Sequence, residues 1–470
     1  MLDIRIDGQS ADLRPGTRLT LQRFNPMLDF TTVPGSRVYD FELNDTPTNR
    51  RLMGYADNPQ QPTYKRRFYC EKYIDGNVIE RGYARIREVN AGYKLNFSQD
   101  LGNVFGSYQD RPLSQLLELG AEPVPANPTA ASNQLTDRYC FPVLLNPSFY
   151  GNAAVNGFRG RVNDYSGGAY ASSGLVPHLF VRWVLTQFSV LTGWQFRGSF
   201  WDSNLFRRLL FYNLYSLDGQ TTLTYCNHLP ELTAGGLLIE LRKLFNLWID
   251  FDVRSKVCTL DLVDTILGDQ LVLDWTNRAN PRHVRLPDQN GRLELGYELS
   301  SNDARVKPTP AVMDVYQTPV ADINQDGVLL PVKSKFSTLL TDPVTGLATT
   351  DQAGYSVYNK DSKPSTETRF LIWNGVVGGL PTATNTADSV SLLWHGNGNL
   401  VDSYWRNFEA FRTNTFLLKK TLTLIPADIA SFSYRNRIHI QGVNYLIGDL
   451  SAALERNQRS ILCEVDLWRV

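Results

Sequence analysis

At 470 residues, with 42% hydrophobic, 11% aromatic and 20% charged side chains, the chain is long enough for roughly three domains and too apolar for wholesale disorder. Its 47 basic and 47 acidic residues leave a formal net charge of zero, which excludes the broad basic footprint of sequence-independent nucleic-acid binding. Acids and Arg interrupt Met1–Asp7 where a secretory leader needs an apolar core, and the apolar stretch Leu237–Trp248 contains Glu240, Arg242 and Lys243, so neither export nor stable membrane insertion is expected.

Residues 1–110 read as a first β-barrel-type domain. Alternating stretches at Leu2–Ile6, Arg37–Leu43, Arg66–Ile74, Asn77–Ile86 and Tyr93–Phe97 are cut by Gly and Pro. Asp75-Gly76 between Ile74 and Asn77 predicts a tight hairpin, because a primed turn needs positive φ at both central residues. From 111 to 175 the pattern weakens: Arg111–Leu119 predicts a short helix, and the Pro, Asn, Ser and Gly that follow predict an exposed insertion or long connection.

Residues 176–270 form a mixed α/β module. Leu179, Phe180, Trp183, Val184 and Phe188 share one face of a helix expected over Pro177–Thr192. A second helix, Thr233–Trp248, has Thr233 as N-cap and Leu237, Leu238, Leu241, Leu244, Phe245 and Trp248 on one side. Strands at Ile249–Val253 and Lys256–Leu262 follow, joined at Arg254-Ser255.

Residues 271–470 are expected to form a second β-barrel region. Strand-like pieces occur at Val312–Tyr316 and Arg369–Trp373, with a polar loop near 341–368. Strands then follow at Lys420–Leu424, Arg437–Gln441, Tyr445–Leu450 and Ser460–Trp468, with a turn at Gln441–Asn444. The fold class is α+β, predominantly β, with two small β-barrel-type domains and a mixed α/β middle region.

Chemistry is sparse. The five histidines (His178, His228, His283, His395, His439) lie in separate contexts without metal-ligand spacing, and His439 alternates with Ile438 and Ile440 as a strand position would. Five scattered cysteines (Cys70, Cys140, Cys226, Cys258, Cys463) read as buried thiols in a reducing compartment. Gly235-Gly236 lacks the rest of a phosphate-binding fingerprint, and Asp250 and Asp252 read as a solvated strand face rather than paired catalytic carboxylates, with Asp261 and Asp264 nearby. No catalytic, cofactor-binding or metal-ligating residue is assigned.

The 9 Trp, 22 Tyr and 23 Phe could form stacking surfaces for sugars or bases around Trp394-His395, Tyr404-Trp405 and Phe408–Phe411. The helical spacing of Trp405, Phe408 and Arg412 favours a packing face instead. Trp405-Arg406 and Trp468-Arg469 are interface candidates, since large aromatics beside Arg anchor protein contacts.

Three segments carry a family resemblance: Tyr39–Ala56 followed by Val78–Ile86; the helix and hairpin over Leu237–Leu262; and Thr421–Ala430, then Arg437–Ile447, then a last strand ending in Trp468-Arg469-Val470. In this order they resemble the hub and tail-tip structural proteins of phage tails and baseplates. The resemblance implies a non-enzymatic homotrimer in the virion tail tip, made in the host cytoplasm, with two barrels per copy forming a pseudo-sixfold ring. That ring would join a tail-tube or distal tail protein to a tip or spike protein and let DNA pass transiently through its lumen. The C-terminal enzyme domain of some relatives is not expected here. Competing expectations are a distal ring or receptor-binding-protein adaptor, a carbohydrate-binding β protein and, in last place, a surface adhesin.

Overall fold

The computed structural model describes every residue except 1, 14–16, 32–37, 63–64, 66, 99–104, 253–254, 270, 288–290, 300–301, 326, 360–366 and 456–458. Its first sheet has six strands in the order Gln9–Ser10, Leu2–Ile6, Arg67–Ile74, Asn77–Val89, Gly92–Ser98 and Val38–Asn44. Alternate residues of Arg67–Ile74 are buried, so Phe68, Cys70 and Ile74 fill the inner face. Lys72 lies on the same face, its Nζ 2.8 Å from Glu80 Oε2 and 3.7 Å from the Phe97 ring centroid. The expected hairpin is present: Ile74 pairs with Asn77, and Asp75 and Gly76 take φ of 48° and 79°. Arg37 and Arg66, expected to begin two of these strands, lie outside the described residues.

The second sheet has seven strands. Six run in the order Val272–Asp274, Arg437–Ile440, Val443–Glu455, Ile461–Arg469, Phe416–Leu424 and Ala279–Pro287. The seventh, Arg18–Phe24, comes from the other end of the chain and pairs with the far half of Val443–Glu455, from Arg18 opposite Glu455 to Phe24 opposite Asp449. Gln441 and Gly442, at φ of 49° and 88°, form the expected turn between Ile440 and Val443. Among the described residues both sheets are half-barrels. They bury one common core, in which Ile4, Phe68 and Leu95 of the first meet Leu422, Ile438, Leu454 and Ile461 of the second.

Between them lies the mixed α/β part. Its first helix spans Val181–Thr192, shorter than expected because His178–Leu179 pair as a strand with Tyr139–Cys140. The second spans Ala234–Phe245, with Thr233 Oγ1 accepting from the Gly236 backbone N at 3.1 Å. It ends early because Asn246 turns left-handed at φ 48° and Leu247–Trp248 already pair with Asp261–Leu262. The Arg254 of the expected turn lies outside the described residues.

Four expectations differ from the structure. Arg111–Leu119 is not one helix but two 3-10 turns, Leu113–Gln115 and Leu117–Leu119, stopped by Gly120 at φ 94°. Nor is 111–175 an exposed insertion: Leu113, Leu116, Phe141, Phe149 and Val162 are buried in the middle cores. Likewise, much of 271–470 lies outside the second sheet. Arg292–Tyr297, Leu329–Ser334 and Arg369–Val377 pack into the middle, because their apolar faces (Leu293, Leu295, Val332, Phe370, Ile372) match the helices and not the half-barrel. In the expected polar loop near 341–368, Leu347–Thr350 are buried and Ala348–Thr349 form a strand; 360–366 lie outside the described residues.

Leu21 is fully buried opposite Ala452, where the inserted strand meets the second sheet. Replacing it by Ala should lower stability in urea unfolding by about 2–5 kcal/mol. Val190→Ala, at an exposed site, should change it by less than about 0.5 kcal/mol. Equal losses for the two would show that the strand insertion contributes little.

Candidate functional site

The titratable groups that most often carry chemistry are placed for packing. His178 is fully buried, its Nδ1 3.2 Å from the Phe211 carbonyl, and burial lowers its pKa to about 4. His228 sits 3.3 Å from Asn213 Oδ1; burial, with the charge of His178 adding to it, lowers its pKa to about 3. His283 is exposed, while His395 and His439 bond to the Asp314 carbonyl and to Asn444. All five thiols are buried and free, and burial pushes Cys70 up to about 12. Among the described residues no group of three or more His, Cys, Asp or Glu is placed to hold a metal. Among the described residues no helix is long and apolar enough to cross a membrane.

The acids are dispersed as well. Asp250 and Asp252 are exposed on one face of Leu247–Asp252, Asp261 is paired with Arg435 at 2.5 Å, and Asp264 accepts from Asn407 Nδ2 at 2.8 Å. Asp218 is a structural knot. One of its oxygens accepts from the hydroxyls of Tyr150, Ser216 and Ser356 at 2.6, 2.8 and 2.9 Å, and the other from the Gly174 backbone N at 3.0 Å. Asp303 does similar work, joining Arg369 at 2.6 Å to Thr350 and to the Asp351 backbone.

Of the aromatic and Arg candidates, Trp405 has no surface to offer a partner. It is fully buried, donates from Nε1 to the Leu244 carbonyl at 3.0 Å and packs on Phe30 and Phe408. The helical spacing that placed Trp405, Phe408 and Arg412 on a packing face is what the structure shows, all three being buried. Trp394 is buried too, so neither indole can stack a sugar. Arg406 is half exposed but already tied to Asp402, Glu409 and the Tyr316 hydroxyl. Trp468 is partly covered by the Arg412 guanidinium at 4.9 Å and lies so close to Gly448 that a Cβ there would collide with it. Arg469 is exposed beside Phe416. Of the four, Trp405 is buried, Trp468 partly buried and Arg406 already paired, and Arg469 is exposed.

The larger open surfaces were not legible as sites. Ala279–Pro287 is an edge strand whose residues 281–286 are all exposed. The hairpin joining Arg369–Val377 to Leu380–Thr384 exposes Val376 and Val377 beside Gly378-Gly379, and Val315, Val320, Ile323 and Val328 are exposed between Met313 and Leu329. A signal existed for the first: Arg282–Leu286 is a short alternating run between Pro281 and Pro287, with charges on both faces.

The two buried histidines set an acid limit. Because their folded pKa values lie below the unfolded value of about 6.5, the unfolded chain binds more protons below that pH. Stability should be intact above about pH 6.5 and fall as the pH drops toward 4, by up to about 1.4 kcal/mol per pH unit for each histidine. Burial raises the Asp303 pKa, but the Arg369 guanidinium outweighs it and holds the carboxyl low, so its contribution is present above the carboxylate range and lost below it. Chemical denaturation from pH 7.5 to 4.5 should show this slope in the wild type and a flatter one in the double variant His178→Gln, His228→Gln. Parallel profiles would refute the assignment.

No family model matches the chain, and no curated protein matches it. Solved structures similar to it include a 43 kDa tail protein of prophage MuSo2 from Shewanella oneidensis, at 10% identity over 99% of this chain and 95% of that one, with a TM-score of 0.39. A tail protein from Neisseria meningitidis MC58 is similar at 11% identity over 99% of this chain and 95% of that one, with a TM-score of 0.35. The E. coli c3393 protein, a type VI secretion component described as structurally similar to the T4 bacteriophage tail proteins gp27 and gp5, is similar at 8% identity over 98% of this chain and 76% of that one, with a TM-score of 0.30.

Proposed function

We propose that this chain is a structural, non-enzymatic protein of a phage-type tail, the class to which the names of the similar tail structures belong. Within that class we assign it to the hub of the tail tip or baseplate. In this reading three copies form a ring, each giving two half-barrel sheets, so that six sheets surround one lumen. The ring would receive a tail-tube or distal tail protein on one side and a tip or spike protein on the other, and DNA would pass through it without being held.

The observation that carries the reading is the common core of the two open sheets. The strand Arg18–Phe24, from the N-terminal part, completes the C-terminal sheet, so one copy holds two sheets in fixed relation and leaves strand edges unpaired among the described residues. Unpaired edges are a liability in a monomer and are commonly covered by lateral packing. Arg469, exposed at the end of the second sheet, and Arg406 are proposed to lie in or beside such contacts. Burial of Trp394 and Trp405 removes the surface on which the carbohydrate-binding alternative relied.

Mass photometry and negative-stain imaging of the purified chain, alone and with its tail-tube neighbour, test the proposal. The expected particle has three times the 53.1 kDa mass of one copy, threefold symmetry and a central opening. A sixfold ring would instead identify a distal ring or adaptor. A monomer that persists at high concentration with the neighbour present would overturn the assembly reading.

A further inference from the structure

The exposed edge strand Ala279–Pro287 carries an uncompensated cationic face whose composition points to a particular kind of partner. Pairing with Phe416–Leu424 sets His283 opposite Lys420, Arg285 opposite Leu418 and Pro287 opposite Phe416. Since successive residues alternate faces, His283 and Arg285 share the side on which Phe416 and the buried Leu418 and Lys420 lie, at the rim of the core. The Arg285 guanidinium sits 3.9 Å from the Phe416 ring centroid, and the Arg469 guanidinium lies 5.9 Å from the same ring. Burial raises the Tyr445 hydroxyl pKa, and the charges of Arg469 and Arg285 both oppose that shift. Lys420 lies deeper, and burial lowers its pKa.

Two neighbouring cations, one on the paired strand and one just before this strand, have acids beside them. Lys419 meets Asp466 at 3.6 Å and Arg278 meets Asp428 at 3.2 Å. Among the described residues, none forms an ion pair with Arg285, Lys420 or Arg469. The opposite face of the strand carries Arg282 beside two exposed apolar side chains, Val284 at 56% and Leu286 at 38%. Among the described residues, no strand pairs with its outer side.

We propose that this edge captures an extended, acidic segment of a partner protein by strand addition, with carboxylates meeting Arg285 and Arg469 and apolar side chains covering Val284 and Leu286. A polypeptide is favoured over nucleic acid for two reasons. Only a polypeptide can complete the backbone hydrogen-bond ladder of the edge. The exposed Val284 and Leu286 also offer apolar area that side chains of an added strand would cover and a phosphate chain would not. The proposal does not rest on the threefold ring and would stand for a monomer.

The test uses the full chain and a labelled synthetic peptide of alternating glutamate and valine, about the length of one strand. Fluorescence anisotropy would compare it with a lysine–valine counterpart, with the same acidic peptide N-methylated at alternate amides, and with an oligothymidine strand. The expected result is saturable binding of the acidic peptide alone, weakened at least about tenfold in Arg285→Glu, Arg469→Glu, with an unchanged Tm. Both substitutions are at exposed positions, and an unchanged Tm shows that the variant folds. Equal binding of the N-methylated peptide would remove strand addition, and tighter binding of oligothymidine would make the face a nucleic-acid patch; either result overturns the proposal.

Discussion

The antiparallel pairing of Arg18–Phe24 with Val443–Glu455 sets the relation between the parts of this molecule, because the segment around it reaches all of them. Leu2–Ile6, just before it, belongs to the first sheet, and Leu19 and Leu21 enter the core that both sheets share. Directly after it, Asn25 donates its backbone N–H to the Gly448 carbonyl and its side-chain amide to the Ile447 carbonyl. Its Oδ1 caps the turn Pro26–Leu28, which delivers Met27 and Phe30 to the middle core. One stretch of about thirty residues thus holds both half-barrels and the middle part. The sequence distance it spans makes the pairing slow to find and costly in chain entropy, which is repaid only when the whole core forms.

A different economy governs the middle part. Its elements are short, many of two or three residues, so backbone ladders alone cannot supply its hydrogen bonds. Buried carboxylates fill that need: Asp218 gathers donors from positions 150, 174, 216 and 356, and Asp303 gathers donors from 350, 351 and 369. Large rings supply the apolar area, with Phe336 stacked on Phe370 at 4.0 Å and Trp405 between Phe30 and Phe408. This accounts for a composition rich in aromatics that exposes few of them.

The parts legible in sequence were those in which a local rule and the tertiary environment agree. The turns at Asp75-Gly76 and Gln441-Gly442, the cap at Thr233 and the strands of the last fifty residues are set by positive φ, a side-chain oxygen and strict alternation. Membership of a sheet is not local. Arg18–Phe24 alternates Leu19 and Leu21 with polar residues over too short a run to stand out, and nothing in it names a partner more than four hundred residues away. Helix ends failed for the same reason: Leu179, Leu247 and Trp248 have helical spacing but were claimed by strands.

The surface candidates show what composition can and cannot rank. Trp beside Arg is a fair sign of an anchor, yet in a chain whose middle part lacks long elements a Trp does more inside, and Trp405 satisfies its Nε1 there against the Leu244 carbonyl. A cation has no such use without an acid beside it, and an unpaired cation is stable only where water or a partner reaches it. The exposed arginines of the second sheet are therefore more informative about contact than its aromatics. Arg406, already bonded to Asp402, Glu409 and Tyr316, would have to exchange those bonds to serve a partner, whereas Arg469 and Arg285 would only gain.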